Sequence, residues 1–121
     1  MYVGFLRVGK LVNVRGQHLK GHLDMLLLAA IAGGAEHGYA IAETLRRASD
    51  GAVDLQDGTI YPALHRLRRA GLVDSHWSEG DGRRRRVYAL TRRGRIALDA
   101  QRDDWLQFER AVRRVFALIA S

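Results

Sequence analysis

Cysteine is absent from the chain. Disulfides, thiolate metal sites and cysteine nucleophiles are therefore excluded. Long apolar runs are missing too. The longest runs from Met25 to Ala32, eight residues, against roughly 20 for a membrane-spanning helix, so no bilayer crossing is expected. No long apolar stretch follows Arg7 and Lys10, so the N-terminus does not read as a secretory signal, and a cytoplasmic protein is expected. No nucleophile–base–acid set is visible. No phosphate-cradling glycine loop precedes a helix, because Gly80-Asp81-Gly82 falls in a turn. His18 and His22 are four residues apart but have no third ligand nearby, so neither metal nor cofactor is expected. An enzyme is not expected either.

What remains is 121 residues, 47% apolar and 27% charged, a globular composition with chain enough for one domain. Twenty basic side chains against thirteen acidic ones leave a net charge of +7. Residues 66–95 hold ten arginines and three acids, which is the same +7, so the rest of the chain is neutral. Clustered arginines repel one another. A polyanion relieves that repulsion and gains entropy from released counterions, and the planar guanidinium fork matches phosphate. A solvated basic face, an acidic protein partner or a membrane surface are the other readings of charge alone.

Hydrophobic spacing then orders the chain. Residues 1–18 show no clean period and read as an N-terminal extension. From Leu19, Leu23, Leu26, Leu27, Ala30 and Ile31 repeat at helical spacing, with Met25, Leu28 and Ala29 on the other faces, up to Gly33-Gly34. A second helix is expected over 38–48, with Tyr39, Ala42 and Leu45 on one face and Ile41 beside them. A third is expected over 58–70, with Ile60, Leu64 and Leu67 inward, Asp57 as its cap and Pro62 in its first turn. Residues 72–77 and 84–91 read as two strands around the turn Ser78–Arg83, with Tyr88 and Leu90 on one face and Arg85 and Val87 on the other. Thr91 caps a last helix running toward Ile119. Along it Leu98, Gln101, Trp105, Phe108, Val112, Val115 and Ile119 follow a heptad seam. Such a helix is about 40 Å long, too long to be covered on one side by a small domain, so part of the seam is expected to meet a second copy.

The fold class is thus mostly α with a small β-hairpin. Three helices and a basic hairpin make a winged helix-turn-helix, whose third helix enters the major groove while the hairpin flanks it. The expected division is an extension (1–18), a DNA-binding winged helix-turn-helix (19–91) and a C-terminal dimerisation helix (92–121).

Five stretches, in order, carry a resemblance. They are Leu19–Leu28, His37–Ile41, Gly58–Leu67, Ala70–Val73 and Gly82–Thr91. Together they resemble the PadR family of bacterial transcriptional regulators, most specifically in Gly58-Thr59-Ile60-Tyr61-Pro62-Ala63-Leu64. The resemblance spans about residues 19–118. It implies a homodimeric winged-helix protein that binds double-stranded DNA, usually a repressor released by a small molecule, of the short kind without a further C-terminal domain. It also implies that aromatic residues of the last helix line a ligand cavity in some members.

Candidate DNA contacts follow from position. Thr59, Tyr61, His65, Arg68 and Arg69 form the outer stripe of the third helix, where His65 and Thr59 can meet base edges and an arginine can bind guanine. Packing at the helix start is the other reading of Tyr61, and an ordinary exposed histidine that of His65. Arg83, Arg84, Arg85 and Arg86 form the wing, alternating faces. Lys20 and Tyr39 open the first two helices, where phosphate is favoured. Trp105 and Phe108, with Leu23 and Leu27, are candidate walls of a slot for an apolar or aromatic ligand; plain dimer packing is the alternative use of the same residues. The leading reading is a ligand-relieved homodimeric repressor. The alternatives are a winged-helix interaction module for an acidic protein and a nonspecific chromosome-coating protein.

Overall fold

Helix α1 (Gly16–Ala32) is apolar on nearly every face of its second half, and the core forms around it. Leu27 and Leu28 are fully buried, and Leu23, Ala30 and Ile31 nearly so. The computed structural model describes residues 16–120, with the side chains of residues 16–21 and Asp81 excepted. Residues 1–15 of the expected extension lie outside the described residues, whereas residues 16–18 already belong to α1.

Helix α2 (Gly38–Ala48) buries Gly38, Ile41 and Leu45. A period of 3.6 puts these three in one row. Tyr39 falls outside that row and is 77% exposed, so it is not on the core face that its neighbours suggest. The linker after α2 carries Val53 and Leu55 into the core.

Helix α3 (Asp57–Arg69) buries Ile60, Ala63, Leu64 and Leu67. Its N-cap is Gln56, without a side-chain cap bond, and Asp57 is its first residue. Asp57 therefore acts through its charge on the helix dipole and not as the cap. Pro62 is accordingly the sixth helical residue, in the second turn and not the first, so its missing N–H leaves the Gly58 carbonyl without a helical donor.

Strands β1 (Val73–Ser78) and β2 (Arg85–Leu90) pair antiparallel, from Val73 opposite Leu90 to Ser78 opposite Arg85. A short 3-10 turn over Gly80–Gly82 joins them. Helix α4 (Arg92–Phe116) follows and continues as a 3-10 turn through Ile119. Its start is anchored tightly. Thr91 caps α4 by accepting from the Gly94 N–H at 3.0 Å, and its hydroxyl donates to the Gly71 carbonyl at 2.7 Å. The Thr91 N–H donates to the Leu72 carbonyl at 3.1 Å. A Cβ on Gly94 would lie 1.9 Å from that Leu72 oxygen, so only glycine lets α4 leave the hairpin in this direction. The helices thus share one core with the inner face of the hairpin, through Val73 and Tyr88, and α4 packs along α1. Among the described residues, no helix is long and apolar enough to cross a membrane.

Candidate nucleic-acid interface

The buried row of α3 determines what its other side presents. With Ile60, Ala63, Leu64 and Leu67 inward, Thr59, Tyr61, His65, Arg68 and Arg69 are all exposed on the outer side. Arg66 is exposed as well, but its guanidinium pairs with Asp24 of α1. That interhelical pair, between residues 42 apart in sequence, has no signal in local spacing.

Tyr61 is held at the start of α2. A Cβ on Gly38 would lie 2.5 Å from Tyr61 Cε1 and 2.6 Å from its hydroxyl. The aromatic ring therefore rests directly on the glycine backbone. The tyrosine remains 46% exposed, so packing and solvent exposure coexist at this position.

The hairpin is tied to the same place. The Tyr88 N–H donates to the Glu36 carbonyl at 2.8 Å. His37 Nδ1 lies 3.3 Å from the Arg86 carbonyl, to which the Nδ1–H tautomer donates. These two bonds fix the α1–α2 loop, and with it the first turn of α2, against β2. The result is an open cleft of about 480 Å³ between His37–Ala40, Tyr61, Tyr88 and Arg83–Arg86. The first three residues of α2 line it, and the N-cap His37 gives no side-chain cap. Unpaired helix amides and clustered guanidiniums both favour an anion. Tyr39 lies on the rim. Lys20 belongs to α1, but its side chain lies outside the described residues.

The arginines of α2 differ. Arg46 bonds Glu43 at 2.6 Å and Arg47 reaches the same carboxylate at 3.4 Å. The Arg46 hydrogen bond, with the charges of both arginines, holds the Glu43 carboxyl below its ordinary range. Glu43 thus offsets part of their charge, whereas among the described residues no carboxylate pairs with Arg68 or Arg69 of α3 or with the wing arginines.

Trp77 has no part in the sequence reading of the site. It stands opposite Arg86 in the hairpin register and is half exposed. The Arg84 and Arg86 guanidinium carbons lie 4.4 and 4.9 Å from the centre of its ring. Only the pairing register brings these residues together.

A second cleft lies between α1 and α4. It has a volume of about 290 Å³ and is lined by His22, Met25, Gln101, Asp104, Trp105 and Phe108. The Trp105 ring meets His22 edge-on at 5.0 Å and Phe108 at 6.0 Å between ring centres. Leu23 and Leu27 do not line it. They face the core from the opposite side of α1, because residues one or two positions from His22 and Met25 point elsewhere. The expected seam is also divided. Leu98 is 8% exposed and belongs to the core of its own chain, not to a free surface. Gln101 and Val112 are half-buried, while Trp105, Phe108, Val115 and Ile119 are exposed. Ile119 lies in the 3-10 turn, where the tighter winding moves it off a heptad seam. Phe116 and Leu118 are exposed beside it. The side chain of His18, four residues before His22, lies outside the described residues.

Known proteins share this fold. Residues 27–100 match the transcriptional regulator PadR-like family. Transcriptional regulator Rv3488 of Mycobacterium tuberculosis is 53% identical over 45 residues, 37% of this chain and 42% of that protein. A PadR family transcription regulator from Clostridium difficile R20291 superposes with a TM-score of 0.65 at 29% identity, covering 82% of this chain and 98% of the other. A PadR-like transcriptional regulator from Bacillus cereus has the same fold, with a TM-score of 0.74 at 24% identity over 84% and 97% of the two chains.

Proposed function

The chain belongs to the transcriptional regulator PadR-like family, and is therefore a winged-helix regulator of transcription and not an enzyme; from that premise we propose that it works as a homodimeric, DNA-binding repressor relieved by a small ligand. The observation that carries the DNA-binding part is the cleft between the first turn of α2, Tyr61 and Arg83–Arg86. It lies beside the exposed row Thr59, His65, Arg68 and Arg69 of α3. A phosphate seated in the cleft positions the duplex, while the α3 row faces base edges. Two copies then read half-sites about one helical turn, ~10 bp, apart.

The pairing surface is the far part of α4. Trp105, Phe108 and Val115 are exposed apolar side chains of α4, and Ile119 is exposed in the 3-10 turn that follows it. An apolar row of this kind on a helix of 25 residues suits a second copy of the same helix. The proposed ligand is planar and apolar and seats in the 290 Å³ cleft against Trp105 and Phe108, with His22 and Met25 as further walls. Relief follows when the ligand favours a dimer geometry that does not fit the duplex.

The test is a gel-shift series against salt. Replacing Arg84 and Arg85 by alanine weakens binding to every sequence and lowers the slope of log K against log salt by about 0.9 for each phosphate no longer neutralised. Unchanged affinity and slope refute the wing assignment. Enrichment of no site from genomic fragments refutes the regulator reading in favour of a protein-binding module. Affinity without a specificity ratio points to a chromosome-coating protein. Tryptophan fluorescence of a Trp77→Phe variant that stays flat while an inducer saturates rejects the Trp105 cleft as its site.

A further inference from the structure

The wing arginines have a partner of their own. On the hairpin face shared by Val73, Ser75 and Trp77, the cross-strand neighbours are Leu90, Tyr88 and Arg86. The first two pairs finish the core; the third extends past it into solvent. There the Arg86 guanidinium lies over the Trp77 ring at 4.9 Å, and Arg84, two residues along the same face, at 4.4 Å. Both arginines line the cleft facing α2 and Tyr61, whereas Trp77 does not.

We infer that Trp77 is a positioning residue for DNA binding: it holds Arg84 and Arg86 by their flat faces and leaves their donor edges to a phosphate in the cleft. This rests on the DNA-binding reading above. A guanidinium stacked on an aromatic face keeps its five in-plane N–H donors available. A carboxylate partner would consume them, as Glu43 does for Arg46 and Asp24 for Arg66. Among the described residues no carboxylate takes the donors of Arg84 or Arg86. Long arginine side chains lose rotamer freedom when they bind. Trp77 restricts them beforehand, so less freedom is given up on binding.

The expected effect is a loss of affinity without a loss of charge. In Trp77→Ala all cations remain, so the salt slope stays as in the wild type, while affinity for a random 30-base-pair duplex falls about threefold to tenfold, the scale of one or two exposed cation–π contacts. Trp77→Phe, with a weaker aromatic face, falls between. A double-mutant cycle separates positioning from mere hairpin integrity. In the Arg84→Ala/Arg86→Ala background, Trp77→Ala costs no further affinity, because nothing is left to hold. An equal cost in both backgrounds, or wild-type affinity in Trp77→Ala, overturns the inference while leaving the DNA-binding reading intact. A wild-type protein that binds no duplex overturns both.

Discussion

Replacing Gly94 by alanine tests the joint that directs α4. The new Cβ would sit 1.9 Å from the Leu72 oxygen and 2.9 Å from its carbonyl carbon. Both are backbone atoms, so the clash cannot be relieved by a rotamer. The helix start and the Leu72 turn must separate by more than an ångström. That movement strains the Thr91 N–H bond to Leu72 and the Thr91 hydroxyl bond to Gly71, each worth about 1 kcal/mol net. Residual overpacking at this buried site adds about 1–3 kcal/mol. Alanine's better helix propensity returns about 1 kcal/mol. The expected net loss is about 2–4 kcal/mol, which lowers Tm by on the order of 10 °C at this chain length. The assay is urea unfolding at a fixed protein concentration, because self-association shifts apparent stability. Gly80→Ala is the control: nothing lies within 4 Å of its added Cβ, and its expected change stays within about 0.5 kcal/mol. A Gly94→Ala protein as stable as the control refutes the steric account.

Three further outcomes are expected. Leu64 is fully buried at the centre of the core, so Leu64→Ala costs about 2–5 kcal/mol in denaturant melts; a loss well below that range would show that the core is packed differently. His65→Ala lowers the ratio of specific to nonspecific DNA affinity more than the nonspecific affinity itself, measured by competition binding; equal losses would make His65 a phosphate or packing residue. Glu43 has its folded-state pKa held below the ordinary value, first by the Arg46 hydrogen bond. Its stabilising contribution is therefore present above the unfolded-state pKa and is lost as pH falls through the lowered folded value. Glu43→Gln is accordingly less stable than the wild type at neutral pH and matches it below that lowered value; a stability gap independent of pH would refute the ionic origin.

Much of the fold is legible along the chain because the periods are local. Leu27, Ile31, Ile60, Leu64 and Leu67 recur at helical spacing, and each is buried. The third helix starts one residue earlier than its spacing predicts, at Asp57, because Gln56 takes the cap without a side-chain bond. Nothing local predicts that Val53 and Leu55, in a linker without a period, are buried. Tyr39 misleads for the opposite reason: an aromatic beside a core row looks like part of it, and only the roll of α2 against α1 turns it outward.

Charge and pattern therefore determined by themselves that the chain makes a cationic third helix and hairpin ahead of a long helix. Both are sums over neighbouring residues, which need no distant partner to be counted. Tertiary structure alone decided which arginines are free to meet an anion. Arg66 is taken by Asp24 of another helix, while Arg84 and Arg86 rest on Trp77 across the hairpin. It likewise decided that His22 and Met25, not Leu23 and Leu27, face Trp105. The physical reason is common to both: a side chain's partner depends on how whole elements roll and pair, and a shift of one residue turns it to another face.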